Sequence, residues 1–216
     1  MLSVKDENRL FNDRADAARM LANTLLQYKY QHPLVIAIPR GAVPMAKIIA
    51  EELNGDLDVV LVAKIPAPLN PELAIGSVTE NGLTYIEDWA LDTGADQKYI
   101  DYQVDLLLKK MSDRRHRYTL LRQSIDAKDR VAIIVDDGMA TGATMLAAVH
   151  SVRKMQPRLL IVAVPVASPR ALFKLEKHVD AIACLLTTES FHSVGQFYRT
   201  FTQVSDEEVY DALRKS

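Results

Sequence analysis

Two adjacent carboxylates, Asp136 and Asp137, follow the apolar run Val131–Val135 and precede Gly138-Met139-Ala140-Thr141-Gly142-Ala143-Thr144. A buried strand that ends in two acids and passes through a small-residue loop into a helix is a ligand-binding arrangement. Ligands of open α/β sheets bind at the carboxyl ends of strands. Amides of a glycine-containing loop and of a helix N-terminus converge on one spot and hold phosphate there. Thr141 and Thr144 add hydroxyl donors. The paired carboxylates are suited to accept from vicinal hydroxyls such as those of a ribose, or to hold Mg²⁺ through water. The pattern therefore points to a ligand that carries both a phosphate and a diol. Neither Gly-Lys-Ser/Thr nor G-x-G-x-x-G occurs here, which sets aside the two commonest nucleotide loops.

Regular elements must position this loop. Phe11, Ala15, Ala18, Ala22 and Leu25 share one helical face, with Asn12 or Asp13 as cap. Pro33–Ile38 reads as a buried strand broken by Pro39-Arg40-Gly41-Ala42. A helix with Pro44 in its first turn and Asn54-Gly55 at its end follows. Leu57–Ala63 reads as one further strand. Pro66–Pro71, with three prolines, reads as irregular. Asn81-Gly82 predicts a hairpin between Ala74–Thr79 and Leu83–Ile86. Asp96 to about Gln123 is helical, with Arg114 interrupting the apolar stripe. The second half alternates: strand 131–135, helix 143–155, strand 159–164, helix 170–177, strand 181–186. Ser205 opens a capping box for a last helix. Strand–helix alternation of this kind predicts an α/β fold with a mainly parallel central sheet flanked by helices.

Composition narrows the class. The chain has 216 residues, 49% hydrophobic and 25% charged, the balance of an ordinary globular domain. One domain over residues 1–216 is expected. The formal net charge of -2 supplies no global field for nucleic acid or an anionic membrane. One cysteine, Cys184, excludes an intrachain disulfide and reads as an inert core thiol in an apolar strand. The polar start and an apolar run no longer than Leu159–Ala167 give neither a signal peptide nor a membrane span, which takes about 18 residues, so a cytoplasmic location is expected. The histidines lack metal-ligand spacing. Lys109, Lys110, Arg114, Arg115, His116 and Arg117 read as a solvated helix face rather than a nucleic-acid patch, because no aromatics are interleaved.

Residues 131–144 resemble the signature of the type I phosphoribosyltransferases: hydrophobic residues, two acids, and a loop containing Thr-Gly. The resemblance extends to Phe11-x-Asp13-Arg14-x-Asp16-Ala17, Pro39-Arg40-Gly41, Asn70–Gly76, Val194-Gly195, Tyr198, Phe201 and Ser205–Val209. It covers nearly the whole chain and is nearest to the bacterial "predicted phosphoribosyltransferase" branch. That branch would place Gly after Gly41 and Arg before Lys64, where this chain has Ala42 and Ala63.

The resemblance implies transfer of a phosphoribosyl group from 5-phosphoribosyl-1-diphosphate (PRPP) to a nitrogen acceptor, nucleobase-like, with release of pyrophosphate. Asp136 and Asp137 would bind the ribose hydroxyls and, through water, Mg²⁺. Gly138, Met139, Ala140, Thr141, Gly142, Ala143 and Thr144 would hold the 5′-phosphate. Arg40 and Gly41 would contact the pyrophosphate, and Lys64 would stabilise it as it leaves. It implies a mobile lid near Pro66–Gly76 and a small hood built from both terminal segments. One or two of Phe191, His192, Phe197, Tyr198 and Phe201 would then meet the acceptor ring. A homodimer is common among such enzymes. The alternatives are a regulator that senses PRPP without turnover and, more remotely, a phosphohydrolase.

Overall fold

The computed structural model describes residues 2–3 and 10–214. Six strands, β1 (Leu2–Ser3), β2 (Leu34–Ala37), β3 (Asp56–Val59), β7 (Val131–Val135), β8 (Leu159–Ala167) and β9 (Ala181–Thr187), form the main sheet. They run in the order β1-β9-β8-β7-β2-β3, every neighbouring pair parallel. In β2 and β7 every residue is buried, as a strand covered on both faces requires. Alternate side chains divide into two cores. Val35, Ala37, Ile133 and Val135 join α1 (Arg14–Thr24), α2 (Ala42–Leu53) and α6 (Asp206–Leu213) on one face. Leu34, Ile36, Ala132 and Ile134 join α4 (Ala143–Arg153) and α5 (Pro169–Leu175) on the other. Asp13 caps α1 by accepting from the Asp16 amide, and Ser205 forms the capping box of α6.

The expected single strand 57–63 is two strands in two sheets. β3 ends at Val59. β4 (Val62–Ala67) joins β5 (Asn70–Thr79) and β6 (Thr84–Ile86) in an antiparallel sheet of order β4-β5-β6. At the crossing the chain is held by bonds from Val60 N to Ala37 O and from Leu61 N to a Glu80 carboxylate oxygen. Burial is continuous from Leu57 to Leu61, so hydrophobicity carries no mark of the change.

The Pro66–Pro71 stretch is likewise strand rather than irregular chain. Pro66 sits in edge strand β4, with register shifts on both sides of it. A proline lacks a donor but is tolerated at an edge and beside a bulge. Only Pro68-Leu69 turns. The predicted hairpin turn is present, with Gly82 at φ +80°. Helix α3 (Gln97–Leu121) buries only Ile100, Met111 and Tyr118. Its basic cluster is not uniformly solvated. Arg115 turns inward, pairs with Glu80, lies 3.6 Å from Asp58 and donates to Val59 O at 2.7 Å. No helix of the described residues is long and apolar enough to cross a membrane.

Candidate active site

In the sheet order, β2 leads outward to β3 while β7 leads outward to β8 on the other side. The two connections leave opposite ways, so a crevice opens above the carboxyl ends of β2 and β7, where open α/β sheets bind ligands. Pro39–Gly41 follows β2 and Asp136–Thr144 follows β7. The Pro39–Arg40 peptide is cis.

The crevice holds a cavity of about 400 Å³ walled by Asp136 to Met145, Gly41, Lys64 and Val194, among others. The structure thus brings together Asp136, Asp137, Gly138, Met139, Ala140, Thr141, Gly142, Ala143, Thr144, Gly41 and Lys64. Arg40 is not on this wall. Its guanidinium lies 3.5 Å from Asp206 and faces a second cavity.

The loop is fixed from below. Met139 N donates to Val166 O and Ser168 N donates to Met139 O, at 2.9 and 3.0 Å. The Ser168 hydroxyl donates to Ala140 O at 2.6 Å. Gly142 has φ +77°, a conformation that favours glycine, and α4 starts directly after it. The first amides of a helix have no partner within it. Among the described residues, no hydrogen bond engages the amides of Thr141, Gly142 or Thr144. They are free for an anion, and the helix dipole favours one there. Close packing also demands Gly138, where an added Cβ would lie 2.6 Å from Val194 Cγ1.

The two acids differ. Burial, then the charge of Asp137, pushes the Asp136 carboxyl well above the usual carboxylate range; the Asp137 amide at 2.9 Å, Lys64 and Arg14 oppose this. Asp137 is gripped by Arg14, whose Nε and Nη2 both donate to Oδ2 at 3.0 and 2.9 Å. Arg14 Nη1 donates to Thr202 O at 2.7 Å, and its guanidinium lies 3.8 Å from the centre of the Phe201 ring. The Tyr198 hydroxyl donates to Asp137 O at 2.6 Å, and burial raises its pKa. Among the aromatics near the end of the chain, Phe197 and Tyr198 are core and Phe201 is partly exposed.

Sequence reasoning assigns Arg14 no role, and it offers Tyr198 only as one of the aromatics that could meet an acceptor ring, not as the donor to Asp137 O. Both lie in segments that carry the resemblance, but the groups of Asp137 that they hold are 123 and 61 residues away. Arg14 occupies the first position of α1, the end at which a helix disfavours a cation. That misfit is the one signal that could have singled it out.

A family model described as phosphoribosyl transferase domain matches residues 8–201. Proteins from two strains of Mycobacterium tuberculosis, each named "putative phosphoribosyl transferase", are 38% identical over 209 residues, covering 96% of this chain and 47% of each relative. The chain thus spans about half the length of the curated relatives it matches. The crystal structure of TT1426 from Thermus thermophilus superposes with a TM-score of 0.79 at 40% identity, covering 94% of this chain and 97% of that one. A hypoxanthine-guanine phosphoribosyltransferase from Bacillus anthracis superposes at 0.50 with 12% identity, covering 93% and 96%, a likeness of fold alone. On the family match and these identities, the chain belongs to the phosphoribosyl transferase family, in its type I fold.

Proposed function

We propose that the chain transfers a phosphoribosyl group from PRPP to a nitrogen acceptor and releases pyrophosphate. One observation carries the reading. Two adjacent carboxylates, a preformed loop with unengaged amides and two threonines, and a lysine surround one cavity at the switch point of the sheet. The loop and the N-terminus of α4 would hold the 5′-phosphate. Asp136 and Asp137 would accept from the ribose hydroxyls. Lys64, which pairs with no carboxylate among the described residues, would face the pyrophosphate. Residues 11–14 and 194–204 would form the hood of the same catalytic unit.

Transfer breaks the bond from the anomeric carbon to pyrophosphate oxygen and forms a bond to acceptor nitrogen. Positive character develops at that carbon and negative charge on the leaving group. The two carboxylates stabilise the first and Lys64 the second, as fixed charges placed where charge develops.

Family chemistry implies Mg²⁺, and the acidic pair suits it. Burial and then the charge of Asp137 make Asp136 hard to ionise, so a divalent cation would stabilise its charged form. Oδ2 of Asp137 is taken by Arg14. No three ligating side chains converge among the described residues. The cation would therefore be held by Asp136 and Asp137 through water, shared with ligand oxygens. Bound there, Mg²⁺ supplies neutralising charge to the pyrophosphate.

Calorimetric titration of PRPP with Mg²⁺ tests the reading. Binding should be lost in Asp136→Asn/Asp137→Asn, and unchanged affinity in that variant would refute the site. Pyrophosphate release over a panel of purine, pyrimidine and pyridine acceptors tests turnover. Tight binding with no release from any acceptor would identify a PRPP sensor instead.

A further inference from the structure

A second cavity of about 500 Å³ adjoins the first, sharing Gly41, Asp137 and Val194 with it. It touches Asp137 but none of residues 138–144. If the transferase reading holds, on which this inference rests, the second cavity lies at the ribose end of the cradle, away from the 5′-phosphate. A molecule in it would meet the sugar from the hood side.

Its walls carry two arginines. Arg14 is spent: three of its donors are engaged, one face lies on Phe201, and Asp137 balances its charge. Arg40 is different. Its side chain is 33% exposed, and its one ion pair among the described residues is with Asp206 at 3.5 Å, which is 42% exposed. So loose a surface pair contributes little. The lining therefore keeps one loosely paired positive charge, on a planar fork that matches a carboxylate bidentately. Phe201, 36% exposed, offers ring surface in the same cavity. A neutral ring offers the Arg40 fork only carbonyl or ring-nitrogen acceptors, which lack the charge assistance that a carboxylate brings.

We propose that this second cavity is the acceptor subsite and that it selects an acceptor ring bearing a carboxylate, which Arg40 binds in place of Asp206.

The test uses matched acids and neutral rings: orotate against uracil, and nicotinate against nicotinamide. Each is titrated by calorimetry into protein saturated with Mg²⁺ and ribose 5-phosphate, which lacks pyrophosphate and so removes any contribution of Arg40 to that group. In at least one pair the acid should bind about tenfold tighter or better, a difference of about 1.4 kcal/mol or more. Arg40→Gln should erase the preference while ribose 5-phosphate still binds. Asp206→Asn, which removes the competing carboxylate, should tighten the acid. Equal or tighter binding of the neutral rings, no binding of any ring, or a preference kept in Arg40→Gln would overturn the proposal. Failure of both ribose 5-phosphate and PRPP to bind the unaltered protein would instead sink the transferase reading itself, and this inference with it.

Discussion

Arg14→Ala should destabilise the protein by about 3–4 kcal/mol, more than most surface arginines could. Arg14 and Asp137 are only 13% and 15% exposed, and two donors of the guanidinium share one oxygen of Asp137. Removing one partner of a buried pair costs about 3–5 kcal/mol, because the other charge is left without compensation. Partial exposure and the adjoining cavity argue for the lower end, about 3 kcal/mol. Loss of the contact with Phe201 adds about 0.5–1 kcal/mol. For a chain of this length the sum corresponds to a fall in Tm of roughly 10 °C. Urea denaturation of the unaltered protein, Arg14→Ala, Asp137→Ala and the double variant measures it. The double variant leaves no orphaned carboxylate, so the two losses should fall short of additive by at least about 1.5 kcal/mol. A loss below about 1 kcal/mol for Arg14→Ala, or strictly additive effects, would refute the idea that Arg14 supports the acidic pair.

Three further outcomes follow from the same geometry. Asp136 has a raised pKa in the folded state, so it binds a proton more tightly folded than unfolded. Ligand-free stability should therefore fall as pH rises from the ordinary carboxylate value through the raised one, and urea unfolding across pH 4–7 should show this contribution absent in Asp136→Asn. Gly41→Ala would put a Cβ 2.2 Å from Asp137 Oδ2; PRPP affinity should drop at least about tenfold by calorimetry as the carboxylate is displaced, an energy of about 1.4 kcal/mol. Arg115→Ala removes the cation beside Asp58, whose side chain is 8% exposed, and beside Glu80, while Asp58 keeps bonds from Val59 N, Ser124 Oγ and Ile125 N and Glu80 keeps one from Leu61 N. It should cost about 3 kcal/mol in urea, the lower end for a broken buried pair, while leaving PRPP affinity unchanged, since that network lies outside both cavities.

What was legible in the sequence follows physical range. The loop after β7 could be read because all its parts are neighbours in the chain: apolar strand, two acids, small residues, helix. The helix starts at Asp13 and Ser205 could be read for the same reason. The switch from β3 to β4 could not, since both sides of the crossing are buried and only pairing partners distinguish them. Pro66 misled because its tolerance depends on which strand lies at a sheet edge, a property of the assembled sheet. The partners of Arg14 and Arg115 lie 123 and 35 residues away, beyond any local pattern. The resemblance puts Arg40 at the pyrophosphate beside Gly41, but its side chain lies toward Asp206 of a helix near the far end of the chain.

The stitching of the hood also bears on synthesis. Phe11 N donates to Phe197 O, Arg199 N to Phe11 O, and Thr200 N to Asn12 O. Contacts between segments this distant in sequence form late, because closing a loop of such length costs chain entropy before it returns any. The cradle after β7 can take shape once β8 and Ser168 have emerged from the ribosome. Arg14 cannot be seated between Asp137 and Thr202 until some 35 further residues follow. During translation the acidic pair would thus exist for a time with its hood side open and its arginine unplaced, the loop after β7 being formed before the hood could close beside it.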